Sequence, residues 1–495
     1  MGRRVKICFI TPGSVFLLDE RVFVNLGILK VASACMARGH RVEHLDLDGV
    51  HNYEDATKTH ARESDADWFA LTATTPQMPA AAKIVAAIRE VKPAAKVMIG
   101  GPHPTLTAAA AKQSAKKGLR LDECRATKAM GQLRNMFDVV VAGDGEDAIE
   151  QAIRIGKGFV DADDPSGTLF LSRKRLDELP IPARELVDLS SYHYKIDGVP
   201  ATSLVAQLGC PFACSFCGGR ASPMLRRARI RQTNAVLEEV EYLHTRHGYR
   251  GFMFYDDEMN VNPKMVELMR GMVTLQKKHN TEFRLRGFVK AELFTQEQAD
   301  VMYEAGFRWL LCGFESGHPR ILDNINKKAA VEDNDRCVEF ARKAGLKVKA
   351  LMSIGHAGES AETVEATKQW LLRTKPDDFD CTIITPYPGS PYYDEAVKND
   401  DHWTYTAPRT GDHLHAIELN YMETADYYKS KPGDGYRSYV FTDHLSPTEL
   451  VALRDDLENE VRDKLNIPFN AGAPGIQYEA SMGQTKLPTN ILRTA

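Results

Sequence analysis

Alternation of strand and helix runs through most of this 495-residue chain and leaves few architectures open. Short apolar runs at Val5–Thr11, Val42–Leu47, Trp68–Thr74, Lys96–Ile99 and Phe137–Ala142 are separated by helical periodicity. Examples of the latter are Asn25–Arg38, which Gly39 ends, and Ala80–Val91. Such alternation implies a parallel sheet, because parallel neighbours need a crossover of helical length. Residues 1–155 therefore predict a doubly wound α/β unit. Pro12-Gly13, Gly100-Gly101-Pro102-His103 and Gly143-Asp144-Gly145-Glu146 fall at the carboxyl ends of its strands. Sheets of this kind bind ligands there, and glycine lets the backbone come close.

A second series of strands follows in residues 201–396: Ser203–Gln207, Gly251–Tyr255, Arg284–Phe288, Phe307–Phe314, Lys347–Ile354 and Phe379–Thr385, with helices such as Ala235–Arg246 between them. Six strand–helix units predict a partial (β/α)6 barrel, open on one side, with its chemistry on the loops at the strands' carboxyl ends. Residues 156–200 read as a linker: Gly156–Gly167 is rich in Gly and Asp, and Leu179-Pro180-Ile181-Pro182 follows. Residues 397–495 read as a small α-rich cap. It is tyrosine-rich in the middle (Tyr421, Tyr427, Tyr428, Tyr436 and Tyr439, with Trp403). An amphipathic helix then runs to Leu465, with Ser446 as N-cap and Pro447 in its first turn. The tail after Pro468 has little periodicity.

Composition narrows the setting. With 43% apolar residues the chain can bury a large core, and a net charge of −4 gives no global attraction to nucleic acid or anionic membrane. No apolar run approaches the ~18 residues that would span a bilayer. The start, Met-Gly-Arg-Arg-Val-Lys-Ile-Cys, lacks the apolar core of a secretory signal. Nine cysteines without framework spacing fit a reducing compartment, so the expected location is cytoplasmic. No RNA-binding module is recognisable, and nucleic acid is not expected as a partner.

Chemistry concentrates in Cys210, Cys214 and Cys217, within Leu208-Gly209-Cys210-Pro211-Phe212-Ala213-Cys214-Ser215-Phe216-Cys217. An odd number of thiols this close cannot all pair as disulfides. A cubane iron–sulfur cluster takes four ligands, so three leave one iron open to a small molecule. A zinc site would want a fourth Cys or a His nearby, and none follows before Ile230.

The C-x3-C-x2-C spacing, with aromatic Phe216 before the last Cys, resembles the signature of the radical S-adenosylmethionine (SAM) enzymes. That resemblance implies a [4Fe-4S] cluster whose open iron chelates SAM and whose electron cleaves it to a 5′-deoxyadenosyl radical. A flavodoxin- or ferredoxin-like electron donor is implied as well. Further motifs match in order. Asp256-Asp257-Glu258 stands where the family meets the SAM amino group, although an acidic run can also cap a turn or hold a divalent metal. Glu315-Ser316-Gly317 is similar to the strand end that approaches SAM. Gly355-His356-Ala357-Gly358-Glu359 resembles a Gly-x-Pro-Gly-Glu turn with Ala357 for the proline, and Pro386-Tyr387-Pro388-Gly389-Ser390-Pro391 is a close match. Lys290 stands near a position where relatives often place Arg.

The first half resembles the Rossmann/flavodoxin-like cobalamin-binding domains fused to many radical SAM enzymes. Thr72 and Thr74, Gly100 and Gly101, then Gly143, Gly145 and Glu146 carry that likeness, with Asn25–Leu29 as the first helix entrance. A generic flavodoxin-like domain is the alternative. The Asp-x-His-x-x-Gly motif that ligates cobalt from below is missing, since Gly13–Asn25 contains no histidine. His103 lies near the expected site, either shaping the Gly-Gly turn or ligating cobalt.

Together the two resemblances imply methylation of an unactivated carbon of a small-molecule substrate. Cyclisation, rearrangement or oxidation without methyl transfer is the second reading, and a cobalamin-responsive binding protein the third. Arg220, Arg226, Arg227, Arg229 and Arg231, and the basic stretch Lys112–Arg134, read as a solvated face or as recognition of an anionic substrate. Cys312, Cys337 and Cys381 read as core or lining residues, with Cys312 and Cys381 able to face the substrate as hydrogen donors.

Overall fold

The computed structural model describes residues 4–13, 21–118, 124–427, 432–433 and 435–469, with the backbone of 477–480 and 491–494. Its first sheet holds β1 (Lys6–Thr11), β2 (Arg41–Asp46), β3 (Trp68–Thr72), β4 (Lys96–Gly100), β5 (Val139–Gly143) and β6 (Gly158–Ala162). All are parallel, in the order β2-β1-β3-β4-β5-β6. The order reverses between β1 and β3, which opens a crevice at the strands' carboxyl ends. Apolar clusters cover both faces of this sheet, as a parallel sheet requires. Helix Leu26–Ala37 starts where Asn25 accepts a hydrogen bond from the Ile28 N–H at 3.3 Å.

Strand β6 lies in the stretch read as irregular linker. Its five residues, Gly-Phe-Val-Asp-Ala, are too short to show a period and are flanked by Gly156 and Asp163-Asp164-Pro165. What makes it a strand is long-range: it pairs along the whole of β5. The later part of the linker is pinned as well. Ala183 N–H donates to Leu29 O at 3.1 Å, and buried Arg184 pairs with Glu239 at 3.0 Å and donates to Ser203 O.

The second sheet follows as β7 (Lys195–Ile196) and β8 (Val199–Leu204). A short antiparallel ribbon, β9 (Gln207–Leu208) with β10 (Arg229–Ile230), brackets the cysteine loop. The sheet continues with β11 (Gly251–Phe254), β12 (Arg284–Phe288), β13 (Phe307–Glu315), β14 (Lys347–Ile354) and β15 (Asp378–Ile383). Six of its seven strands, β8 and β11 to β15, are parallel and adjacent in chain order; β7 adds antiparallel beside β8. Alternate residues, such as Leu285, Leu310, Val348 and Phe379, enter a core beneath the surrounding helices. The intervening residues, among them Arg286, Trp309 and Lys349, form the concave face.

The region read as an α-rich cap does carry the expected helix, Pro447–Leu465. Ser446 and Glu449 form its capping box, with Ser446 N–H donating to Glu449 at 2.8 Å and Glu449 N–H to Ser446 at 3.3 Å. It also contains a four-stranded antiparallel sheet: β16 (Val397–Lys398), β17 (His402–Thr406), β18 (His413–Ile417) and β19 (Val440–Phe441). Tyr428 and most of the tail after Pro468 lie outside the described residues. Two strands there, β20 (Gln477–Ala480) and β21 (Ile491–Thr494), pair antiparallel. Among the described residues no helix is long and apolar enough to cross a membrane.

Candidate active site

The carboxyl ends of the two sheets face one shared cavity of about 590 Å³. Its deep wall is apolar, with Phe9, Ala70, Met98, Val141 and Ile149 from the first sheet and the helix after β5. The turns singled out in the sequence line it as well: Thr72, Thr74, Gly100, Gly101, Gly143, Gly145 and Glu146. The wall supplied by the barrel and its cysteine-loop ribbon includes Ser203, Gly209, Arg229, Tyr255 and Asp257. Gly101 has φ +94°, and a Cβ there would lie 2.4 Å from Thr72 Oγ1, so only glycine fits this turn. Burial, with Asp144 nearby, pushes the Glu146 carboxyl up to about 7.

His103 does not reach this cavity. It is buried behind the Gly-Gly turn, its Nδ1 3.1 Å from Thr75 Oγ1, and its ring lies against Tyr421. Burial pushes its imidazole down to about 4 and keeps it neutral.

The cysteine loop is fixed through its carbonyls and amides. Cys210 N–H donates to Leu225 O at 2.9 Å and Ser215 N–H to Ile325 O at 2.8 Å. Asn326 and Arg220 side chains both donate to Ala213 O, at 2.9 and 2.8 Å, and Arg226 donates to Pro211 O at 3.1 Å. Gly209, at φ +83°, enters the loop so tightly that a Cβ would lie 2.4 Å from Arg227 O. Burial raises all three thiols, Cys210 to about 12 and Cys217 to about 11; for Cys214 the ammonium groups of Lys327 and Lys290 oppose the rise. Coordination to a soft metal centre removes such protons outright. Three soft donors on one short loop, with two buried ammonium groups beside them, suit an iron–sulfur cluster.

The acidic run divides its labour. Asp256 is buried and accepts from Ala206 N–H at 2.7 Å, while Asp257 accepts from Gly209 N–H at 2.9 Å. Both carboxylates thus clamp the entry to the cysteine loop, and Asp257 also faces the cavity. Burial pushes Asp256 and Glu258 up to about 7, although backbone donors oppose this at Asp256 and Lys327 and Lys290 at Glu258.

Glu315 ends β13 in a left-handed conformation, φ +64°, where the register with β14 slips between Gly313 and Glu315. A non-glycine residue there is strained, and the strain aims its carboxylate inward. Lys327 Nζ meets it at 3.0 Å and Ser353 Oγ donates to it at 2.7 Å. Ser353 Oγ lies 2.8 Å from His356 Nε2, and Tyr392 hydroxyl 3.2 Å from His356 Nδ1. Burial opposes ionisation of Glu315, yet Lys327 and Ser353 leave its carboxyl below the ordinary range. His356, pushed down to about 4 by burial, stays neutral against Phe216, with ring centroids 5.5 Å apart. Ser316 turns away from this group and bonds Thr367 Oγ1 at 3.1 Å.

Lys327, Ser353 and His356 escaped the sequence reading as functional side chains, since nothing local links them to Glu315. The basic run is mixed: Arg227 is exposed, as on a solvated face, and Arg229 lines the cavity. Arg229 is buried and pairs with Asp144 at 2.6 Å, and Arg231 pairs with Glu239 at 2.8 Å. In the stretch Lys112–Arg134, Lys112 pairs with Asp161, and Arg125 stacks on Tyr393 and Trp403; residues 119–123 lie outside the described set. Cys312 and Cys381 are fully buried on the helix-facing side of the sheet.

The radical SAM superfamily matches residues 204–371, and the B12 binding domain family matches residues 20–118. The chain is a cobalamin-binding radical SAM protein. An uncharacterized methyltransferase of Pyrococcus horikoshii, PH0819, is 28% identical to this radical SAM protein over 416 residues, covering 80% of this chain and 84% of the relative. The anaerobic magnesium-protoporphyrin IX monomethyl ester cyclase of Cereibacter sphaeroides is 25% identical, covering 68% of this chain and 54% of the cyclase. The radical SAM methyltransferase TsrM from Kitasatospora setae, solved with cobalamin and a [4Fe-4S] cluster, superposes with a TM-score of 0.65 at 17% identity, covering 95% of this chain and 92% of TsrM. That likeness extends the shared fold over both domains and the cap.

Proposed function

We propose that this protein methylates an unactivated carbon of a small-molecule substrate, using SAM and cobalamin. One observation carries the reading: a single cavity joins the glycine turns of the first sheet to Gly209, Tyr255 and Asp257 beside the cysteine loop. Cys210, Cys214 and Cys217 would hold the [4Fe-4S] cluster, and the Thr72, Gly100-Gly101 and Gly143–Glu146 turns would receive cobalamin. When bound, these groups supply the electron that cleaves SAM and the methyl carrier, which is the hard chemistry. The residues supply placement: Asp256 and Asp257 set the cysteine loop, and the Glu315–Lys327 pair fixes a carboxylate beside it. The apolar walls of the cavity keep bulk water away from the bound groups, so that polar contacts to them act in a low-dielectric site.

The test is mass spectrometry of anaerobic turnovers with cluster- and cobalamin-loaded protein, a reductant, methyl-deuterated SAM and extract of the source cells. A metabolite carrying the labelled methyl is the expected result. Release of 5′-deoxyadenosine with a changed but unlabelled metabolite would replace methylation by cyclisation, rearrangement or oxidation, the reading to which the cyclase likeness lends support. Cys214→Ala abolishes SAM cleavage if the protein is an enzyme; unchanged behaviour would favour a binding protein.

A further inference from the structure

Among the described residues, the concave face of the barrel holds one cation that no carboxylate pairs with. On β12, Leu285 and Gly287 are buried toward the helices, so Arg286 and Phe288 point the other way. Arg286 reaches the Tyr194 hydroxyl at 3.4 Å through one Nη; its buried Nε has no partner, and no carboxylate pairs with it among the described residues. Its neighbours are spoken for. Lys349 sits between Asp378 and Asp380 at 2.8 and 2.9 Å, and Arg462 reaches the same two carboxylates at 3.4 and 3.6 Å. Arg462 also pairs with Glu458 at 2.6 Å, so both of these cations are fully met by carboxylates, and Arg286 is the neighbour that none pairs with among the described residues.

Around this guanidinium stands an aromatic wall. Trp309 lies 6.0 Å from it. Phe23 contacts Tyr194 and Tyr255, with centroids 4.7 and 5.1 Å apart, and Tyr255 meets Phe288 at 6.5 Å. Phe23 and Tyr255 also line the shared cavity, so the wall runs from there to Arg286. Tyr255, between Phe23 and Phe288, remains 42% exposed. The guanidinium is half-buried: its Nε is sealed from solvent, while its second Nη has no protein partner among the described residues and leaves the Nη edge open to an anion.

We propose that Arg286 anchors a carboxylate of the substrate, with Tyr194 as second donor, so the substrate class is a small monocarboxylate with a flat apolar body packed on Phe23, Tyr255 and Phe288. This rests on the reading of the cavity and barrel mouth as the reaction site. Geometry favours a carboxylate because the guanidinium edge presents two parallel N–H groups, and the Tyr194 hydroxyl can donate to an oxygen left free. A phosphate dianion would call for a second free cation, and Lys349 is already held by two carboxylates.

The test is equilibrium dialysis of the cluster-, cobalamin- and SAM-loaded protein against indole-3-propionic, 3-phenylpropionic and cinnamic acids, each beside its primary amide, read by mass spectrometry. The acids should be retained about tenfold or more over the amides, the size expected for one charged hydrogen-bonded contact. Arg286→Gln should erase that preference and Arg286→Lys should keep part of it. Equal retention of acid and amide, retention of neither, or a preference that survives in Arg286→Gln would overturn the proposal. Iron and cobalamin content and the thermal midpoint of each variant are measured alongside. Should Arg286→Gln fail to fold, the acid–amide comparison in the unmodified protein and in Arg286→Lys decides. No methyl transfer is read, so an acid preference without labelled product would refute methylation and leave the carboxylate anchor standing.

Discussion

Breaking the Arg229–Asp144 pair should cost far more than a surface ion pair, and the cost should reach the shared cavity. Arg229 stands on β10, beside the cysteine loop, and Asp144 sits between Gly143 and Gly145 in the first domain. Their side chains are each 5% exposed and meet at 2.6 Å. At an effective dielectric constant of ~20 the gross attraction at that separation is about 6 kcal/mol, offset by several kcal/mol of desolvation for each ion. Arg229→Met removes the attraction but leaves Asp144 buried, with Leu171 N–H at 3.0 Å as its remaining donor. The guanidinium's bonds to Leu171 O and Met224 O are lost too. The expected loss is about 3–5 kcal/mol, against 0–1 for an exposed pair. The double variant Arg229→Met/Asp144→Asn should recover at least about 2 kcal/mol of it, because no charge then stays buried unpaired. Urea unfolding of the two single variants and the double variant measures this coupling, and cobalamin retained after gel filtration reports on the cavity. A loss under about 1 kcal/mol in Arg229→Met, or a double variant no better than the single, would refute the reasoning.

Two further outcomes follow from the same geometry. Gly101→Ala should destabilise by about 1–3 kcal/mol and lower cobalamin retention, since it adds a clash with Thr72 Oγ1 to left-handed strain. Gly118→Ala, also at positive φ but with nothing within 4 Å, should show strain alone, and equal effects at the two positions would dismiss the clash. Asp256→Asn should gain stability relative to the unmodified protein as pH rises from 4 to 7. Burial raises the folded carboxyl from 3.8 to about 7, so its favourable contribution is present below the unfolded value and is lost through the folded one. The difference amounts to at most about 4 kcal/mol; parallel stability curves across that range would count against a buried, proton-holding Asp256.

Features set by neighbouring residues were legible in the sequence, and features set by distant partners were not. The glycine turns, the cysteine spacing and the Ser446 cap are local, and each stands where the sequence reading put it. Strand β6 was hidden because its only evidence is pairing with β5. The same applies to the charged residues. Arg229 finds its partner 85 positions away and Ser353 reaches Glu315 across 38, separations that no periodicity encodes. The run from Arg220 to Arg231 looked like one basic patch, yet Arg220 is spent on a loop carbonyl, Arg229 on Asp144 and Arg231 on a helix carboxylate, while Arg227 stays exposed.

An open half-barrel has to end its sheet somewhere, and how it does so explains why the cap packs where it does. A barrel strand at an edge exposes unpaired N–H and C=O groups, which invite another chain. On one side β7 pairs antiparallel with β8. On the other, β15 has no further strand among the described residues, and side chains take over the ladder. Glu458 accepts from Cys381 N–H at 2.6 Å and Arg454 donates to Cys381 O at 3.1 Å. The Tyr436 hydroxyl completes the series, accepting from Ile383 N–H at 2.9 Å and donating to Ile383 O at 3.0 Å. The cap thus performs the hydrogen bonding of a further strand while adding none. Closure with two more strands would have fenced the concave face; closure by side chains satisfies the backbone and leaves the barrel a half-barrel beside the shared cavity. The polar residues buried under the helix Pro447–Leu465, which look misplaced on an amphipathic pattern, are therefore what lets the sheet stop at six parallel strands.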